Sequence, residues 1–231
     1  GRVDYFIGWT QGHTPSEAIP AFIRRPEEVD RLIWSPLCHH NLVTFLKRKM
    51  PDPPESRIGV CVKGCDSRTL VALLQEGLVD RERLYVVGIP CAGVIDKRLV
   101  DALFTDEVTE IDFEGDLVTA RTRMGESKEF ALADVLLDQC GGCYSPNPRY
   151  ADELVGDTLP ESQGKPQFPG LEEFEALDSA AKDALLAEAF STCIRCFACI
   201  NVCPVCYCWD QCVNRSRRPA LVGQKVDTKE N

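Results

Sequence analysis

Seven of the thirteen cysteines fall within twenty positions, in the stretch CIRCFACINVCPVCYCWDQC at 193–212. Cys193, Cys196, Cys199 and Cys203 obey C-x2-C-x2-C-x3-C, and Pro204 follows. That is the bacterial ferredoxin run for a 4Fe-4S cluster. Three thiolates two residues apart line a tight loop that wraps one cube. The fourth, at the next helical turn, points away and often serves a neighbouring cluster. Proline ends the loop and removes a donor at the bend. Zinc sites use two separated pairs of ligands rather than an unbroken run of four, and a redox-active disulfide fits less well still. Cys206, Cys208 and Cys212 exceed what one cube needs. One of them supplies the fourth ligand if Cys203 reaches elsewhere, and the spacing leaves that choice open.

Six cysteines lie upstream. Cys65 and Cys91 each follow an apolar, β-branched run that reads as a buried parallel strand. Cys140 and Cys143 form a C-x2-C pair in the glycine-rich loop DQCGGCYSPNP. Ligands of an open α/β sheet sit at the C-terminal edge of its strands. Two strand-end thiols on that edge plus a C-x2-C loop make four ligands for a second 4Fe-4S cluster. The helix after Cys65 adds a favourable dipole for a thiolate, roughly 0.3–1 kcal/mol. Cys61, in mid-strand, and Cys38 read as buried apolar residues.

The elements that must position these thiols follow from periodicity. RIGVCV and RLYVVGIPC are the two buried strands. SRTLVALLQEG is helical, with Asp66 or Ser67 as cap and Gly77 as stop. AGVIDKRLVDALF reads as a second helix, with Ile95, Leu99 and Leu103 four apart. Strand, helix, strand, helix implies parallel βαβ units. TEIDFEGDLVTARTRMGESKEF alternates around Gly115 and reads as a hairpin or three-stranded meander. The first 55 residues read as an irregular or helical lead-in, with a helix beginning at Ser35 and Pro36 and a break at PDPPE. LEEFEALDSAAKDALLAEAFSTC is helical and leads into the cysteine run.

The expected fold class is therefore α/β: a parallel-sheet domain with a β-meander, followed by a helical ferredoxin-like segment. The expected division is an α/β domain over 1–150, an acidic linker over 151–175, and a helix plus cluster segment over 176–231. The 231 residues are 44% hydrophobic, enough for a core without disulfide staples. An odd cysteine count speaks against a closed disulfide framework and favours reduced, cytoplasmic thiolates holding metal. The net charge of −10 argues against a nucleic-acid partner. Neither a membrane-spanning run nor a signal-peptide pattern is visible. GCDSR is no phosphate-binding or dinucleotide fingerprint, and no catalytic triad or carboxylate pair stands out.

Taken together, VKGCDSRTLVALLQEG, VVGIPCAGVID and the 193–212 stretch resemble a family of iron-sulfur electron-transfer proteins. That family is related to the beta subunit of deazaflavin-coenzyme hydrogenases and formate dehydrogenases, and is associated with heterodisulfide-reductase-like complexes in anaerobes. The resemblance covers roughly residues 55–225. It implies an electron relay between a flavin-containing or hydrogenase-type partner and a terminal oxidoreductase. It matches Cys193, Cys196, Cys199 and Cys203 to ferredoxin ligands, and Cys65, Cys91, Cys140 and Cys143 to cysteines of the α/β part. Hydrogenase-like relatives bind a flavin, but no residue signature here demands one. Longer relatives continue into a second ferredoxin run after a stretch like PALVGQKVDTKEN, where this sequence stops. Either Cys203 then completes its site with Cys206, Cys208 or Cys212, or another subunit supplies the rest.

The reading is an electron-transfer subunit with two 4Fe-4S clusters, docked on other oxidoreductase subunits, with electron transfer favoured over substrate turnover. Two alternatives stand beside it. One is a catalytic subunit that reduces a disulfide or a deazaflavin at the α/β-domain cluster. The other is a redox sensor with a structural cluster.

Overall fold

The computed structural model describes residues 2–46, 55–161 and 170–206. It separates into two compact units, residues 1–166 and 167–231.

In the first unit, β1 (Tyr5–Gln11), β2 (Ala18–Ile23), β3 (Ile58–Val62), β4 (Leu84–Gly88) and β8 (Glu153–Leu154) form one sheet in the order β2-β1-β3-β4-β8. β1–β3, β3–β4 and β4–β8 pair in parallel, and β1–β2 pair antiparallel. The parallel βαβ unit expected from the sequence is present, with α1 (Gly64–Gln75) joining β3 to β4. β3 is buried at every position, as a parallel strand covered on both faces must be. α1 buries Leu70 and Leu73 against it. The helix ends where Gly77 adopts φ +66°, a left-handed conformation that suits glycine as a helix stop.

A second sheet has the order β5-β6-β7, from β5 (Val108–Glu114), β6 (Leu117–Thr122) and β7 (Ser127–Ala131). All its pairings are antiparallel, so the meander reading holds. Val108, Ile111, Val118 and Ala120 join the same core as the first sheet.

Several expectations are corrected. The first 55 residues are no irregular lead-in, because β1 and β2 build one side of the main sheet. Tyr5, Ile7 and Trp9 alternate into the core, but apolar Phe6 and Gly8 between them hide that period of two. Among the described residues the helix expected from Ser35 begins no earlier than a 3-10 turn at Leu42–Phe45, where the Asn41 side chain accepts the Val43 N–H; residues 47–54 lie outside the described residues. The expected second helix shrinks to α2 (Lys97–Asp101), because Ile95 instead pairs with Leu136 as an isolated bridge and Asp96 caps the Arg98 N–H. In the stretch expected as a linker, Glu153–Leu154 adds an edge strand to β4. The Asp152 carboxylate accepts the Val86 N–H at 2.7 Å beside it.

In the second unit, α4 (Leu171–Ala176), α5 (Ser179–Ala189) and α6 (Ala198–Val202) are the described helices. The single helix expected there breaks at Asp178, whose carboxylate caps the Ala181 N–H at 2.7 Å. Among the described residues no helix is long and apolar enough to cross a membrane.

Candidate metal centre on the sheet edge

β1 leads to β2 on one side, and β3 leads to β4 on the other. The C-terminal ends of β1 and β3 thus mark a reversal of strand order, the usual ligand position in an open α/β sheet. Lys63 follows β3 there, and its Nζ lies 4.5 Å from the centre of the Trp9 ring on β1.

Cys65 occupies the first turn of α1, slightly inside the helix rather than on the loop before it. Cys91 stands three residues after β4, and its N–H donates to the Pro146 carbonyl at 3.0 Å. Cys140 lies in α3 (Asp138–Gly141), and the Cys143 N–H donates to its carbonyl at 3.1 Å. Residues 143–149 then run across the start of α1. Tyr144 lies under the Arg68 guanidinium, 4.9 Å from ring centre to Cζ. The Arg149 N–H donates to Ser67 Oγ at 2.9 Å, and Ser67 donates to the Gly64 carbonyl at 2.8 Å.

Two close approaches hold this assembly together. A Cβ on Gly64 would stand 1.9 Å from the Ser145 carbonyl oxygen, so glycine is what lets the 143–149 loop lie on α1. A Cβ on Gly93 would stand 3.4 Å from Cys140 Cβ, which puts Cys140 against the loop that carries Cys91. The structure thus makes neighbours of the thiols in pairs: Cys65 with Cys91, Cys91 with Cys140, and Cys140 with Cys143.

Their electrostatics agree with that placement. Burial pushes Cys91 up to about 11, with Cys140 adding to the rise. Cys140 is raised by burial and by Cys143. Cys65 is exposed at its surface but crowded by protein; desolvation first, then Asp66 and Cys91, push its thiol up to about 12. Such thiols stay protonated in neutral water unless a metal takes the place of the proton.

Three observations bear on whether an inorganic cluster suits these residues. The four cysteines are free and offer soft sulfur donors. The hydroxyl of buried Ser145, within the strap beside Cys143, has no hydrogen-bond partner among the described residues. The first turn of α1 offers its N-terminal dipole. Among the described residues no three potential ligands converge as they would around a single ion. The thiolates of a cube bind separate irons at its corners, so they stand further apart than the ligands of one ion.

Cys38 and Cys61 are buried, as expected for apolar-like cysteines. In the second unit, Cys193, Cys203 and Cys206 are half-buried, and Cys196 and Cys199 are exposed. Cys208 and Cys212 lie outside the described residues. Arg195 and Phe197, between the first three cysteines, have φ +54° and +58°. Non-glycine residues are uncommon in that region, and such strain marks functional loops when something holds it.

Sequence reasoning missed Lys63, Trp9 and Ser145. Lys63 and Asp66 carry the one available signal: an acid at the third position of a helix after the strand, as in a capping box.

The fold and site define a thiol-rich α/β protein with a ferredoxin-type cysteine run in its C-terminal part. Scanned against protein-family profiles, the chain matches none. It is similar over nearly its whole length to F420-dependent formate dehydrogenase 1 subunit beta of Methanococcus maripaludis, 24% identical over 290 aligned positions that cover 99% of this chain and 72% of the relative. The relation expected from the sequence motifs is borne out. Among solved structures, a chain of the F420-reducing NiFe hydrogenase complex from Methanosarcina barkeri matches with a TM-score of 0.49 and 15% identity. That match covers 63% of this chain and 55% of the other.

Proposed function

We propose that this chain is an iron-sulfur electron-transfer subunit of a cytoplasmic, multi-subunit oxidoreductase, relaying electrons through two 4Fe-4S clusters. Cys65, Cys91, Cys140 and Cys143 hold one cluster on the sheet edge. Cys193, Cys196 and Cys199, with Cys203 or one of Cys206, Cys208 and Cys212, hold the other in a ferredoxin-like segment. The division into an α/β domain over 1–150, an acidic linker over 151–175 and a cluster segment over 176–231 belongs to the same reading, with the linker's first residues pairing along β4. A bound cube supplies reversible one-electron chemistry. The protein supplies the thiolates, the helix dipole and a partly desolvated recess.

The observation that supports the reading is a series of neighbouring free thiols, Cys65 to Cys91 to Cys140 to Cys143, past the C-terminal ends of β3 and β4. The second cluster is supported by the motif and by the poor core of its unit. Among the described residues of that unit none is buried, and Phe190, Ile194 and Val202 are 44%, 65% and 61% exposed. Units that bury so little need a metal, a disulfide or a partner to hold them. The likeness to a formate dehydrogenase beta subunit supports partners of the oxidoreductase class. The acidic balance suits docking on a basic surface.

A second reading is favoured by one feature. A cavity of about 350 Å³, lined by Trp34, Pro36, Pro90, Gly93, Val155 and Asp157 among others, opens beside the Cys91 loop. A flat redox substrate held there would make the subunit catalytic. Anaerobic purification with iron, sulfide and flavin analysis tests both readings. The paired substitution Cys65→Ser and Cys91→Ser is expected to remove about four irons per chain. Unchanged iron would end the sheet-edge assignment, and bound flavin or turnover of a deazaflavin would favour the catalytic reading.

A further inference from the structure

Buried ion pairs are costly, and apolar residues of the same size are often equally stable or better. One such pair brackets Cys65, Lys63 two positions before it and Asp66 directly after it. The Lys63 side chain is 4% exposed and that of Asp66 1%, with Nζ 2.8 Å from Oδ2. Lys63 Nζ also donates to the His40 carbonyl at 3.0 Å. Asp66 accepts the Lys63 backbone N–H at 3.1 Å, and its other oxygen lies 3.6 Å from Cys65 Sγ. Capping α1 needs only the carboxylate. It does not need a buried ammonium wedged between the ends of β1 and β3.

The two charges act on the sheet-edge thiols in opposite senses. The carboxylate accepts from the Cys65 thiol at 3.6 Å and the ammonium stands 2.8 Å from the same carboxylate, so two buried charges of opposite sign lie beside Cys65. We propose that Lys63 and Asp66 are positioning residues that set the reduction potential of the cluster held by Cys65, Cys91, Cys140 and Cys143, the ammonium raising it and the carboxylate lowering it. The inference rests on the reading that this quartet takes a cluster. Reduction adds one negative charge to the site, with no bond made or broken. A fixed positive charge nearby stabilises the reduced form and a fixed negative charge destabilises it. Charge, hydrogen bonding and burial around the sulfurs are the protein's means of tuning such a site, and buried charges are screened little by salt.

The test uses the full chain, reconstituted anaerobically with iron and sulfide and titrated with dithionite at one fixed pH under electron paramagnetic resonance. The signal of the sheet-edge site is the one that Cys65→Ser with Cys91→Ser abolishes. Lys63→Met is expected to move its midpoint to a more negative potential, and Asp66→Asn to a more positive one. Each shift should reach at least a tenfold change in the reduction equilibrium, about 59 mV for one electron. Lys63→Arg should stay at the wild-type value, and Lys63→Met combined with Asp66→Asn should return close to it. A purely structural role predicts otherwise: iron loss in both single variants, or midpoints that move the same way. Either result overturns the proposal, as do two unchanged midpoints. If Lys63→Met does not fold, Asp66→Asn and Lys63→Arg decide it, by an upward shift and by none. A wild-type chain with no signal dependent on Cys65 and Cys91 sinks the parent reading too, and that failure shows when wild type is compared with the Cys65→Ser, Cys91→Ser chain, before any Lys63 or Asp66 variant is made.

Discussion

Replacing Gly64 with alanine probes the joint between α1 and the strap that carries Cys143. At an unconstrained helix position the change gains up to about 1 kcal/mol. Here the new Cβ would stand 1.9 Å from the Ser145 carbonyl oxygen and 3.0 Å from the carbonyl carbons of Ser145 and Pro146. These are backbone atoms, and they are anchored. Pro146 accepts the Cys91 N–H at 3.0 Å, and the Arg149 N–H is held by Ser67 at 2.9 Å. Overpacking of this kind costs about 1–3 kcal/mol, so the clash outweighs the helix gain. A net loss of about 1–2 kcal/mol is expected. The strap must also lift, which displaces Cys143 and the Pro146 carbonyl that holds the Cys91 N–H. The assays are urea unfolding of the metal-free chain and the iron content after reconstitution. The variant should unfold at lower urea and lose the iron that depends on Cys65 and Cys91. Gly141→Ala is the control, because its Cβ would meet nothing within 4 Å; stability and iron should hold. A Gly64→Ala chain with wild-type midpoint and full iron, or a control equally damaged, would refute the reasoning.

Two further outcomes follow from the same region. Ser67→Ala removes the buried hydroxyl that donates to the Gly64 carbonyl and accepts the Arg149 N–H. It should cost about 1–3 kcal/mol and speed hydrogen exchange at the Arg149 amide, seen by mass spectrometry. The metal-free chain should also lose stability in alkali. Burial, then Cys38, pushes the Cys61 thiol from 9.0 up to about 12. A thiol whose folded value lies above its unfolded one binds the proton more tightly when folded. Its stabilisation is complete below pH 9 and is lost as pH rises from 9 towards 12. Cys61→Ala should flatten that part of the stability–pH curve, measured by urea unfolding across the range.

Some of this molecule can be read along the chain. β3 and β4 announce themselves as short, β-branched, buried runs, α1 by its leucine spacing and its glycine stop, and the meander by its alternation. Those signals are local. Each depends on residues within a few positions of one another, and the backbone geometry that they favour is the one that tertiary packing keeps. The cysteine spacing at 193–203 is local in the same sense.

Other features exist only once distant segments meet. β1 hides its period of two because Phe6 is apolar as well, so only the strand's place beside β3 reveals which face is inside. Ile95 belongs to a helical pattern until Leu136 offers it a bridge, and pairing then overrides the weaker helical preference. Nothing near residue 64 says that a carbonyl from residue 145 lies on it. Lys63 reads as a surface charge until β1 brings Trp9 over it and Asp66 takes its ammonium. The sequence by itself set which atoms were available, sulfur above all. Tertiary structure decided which of them share one recess and which buried charges they face, because burial and Coulomb interactions depend on distance in space and not on separation along the chain.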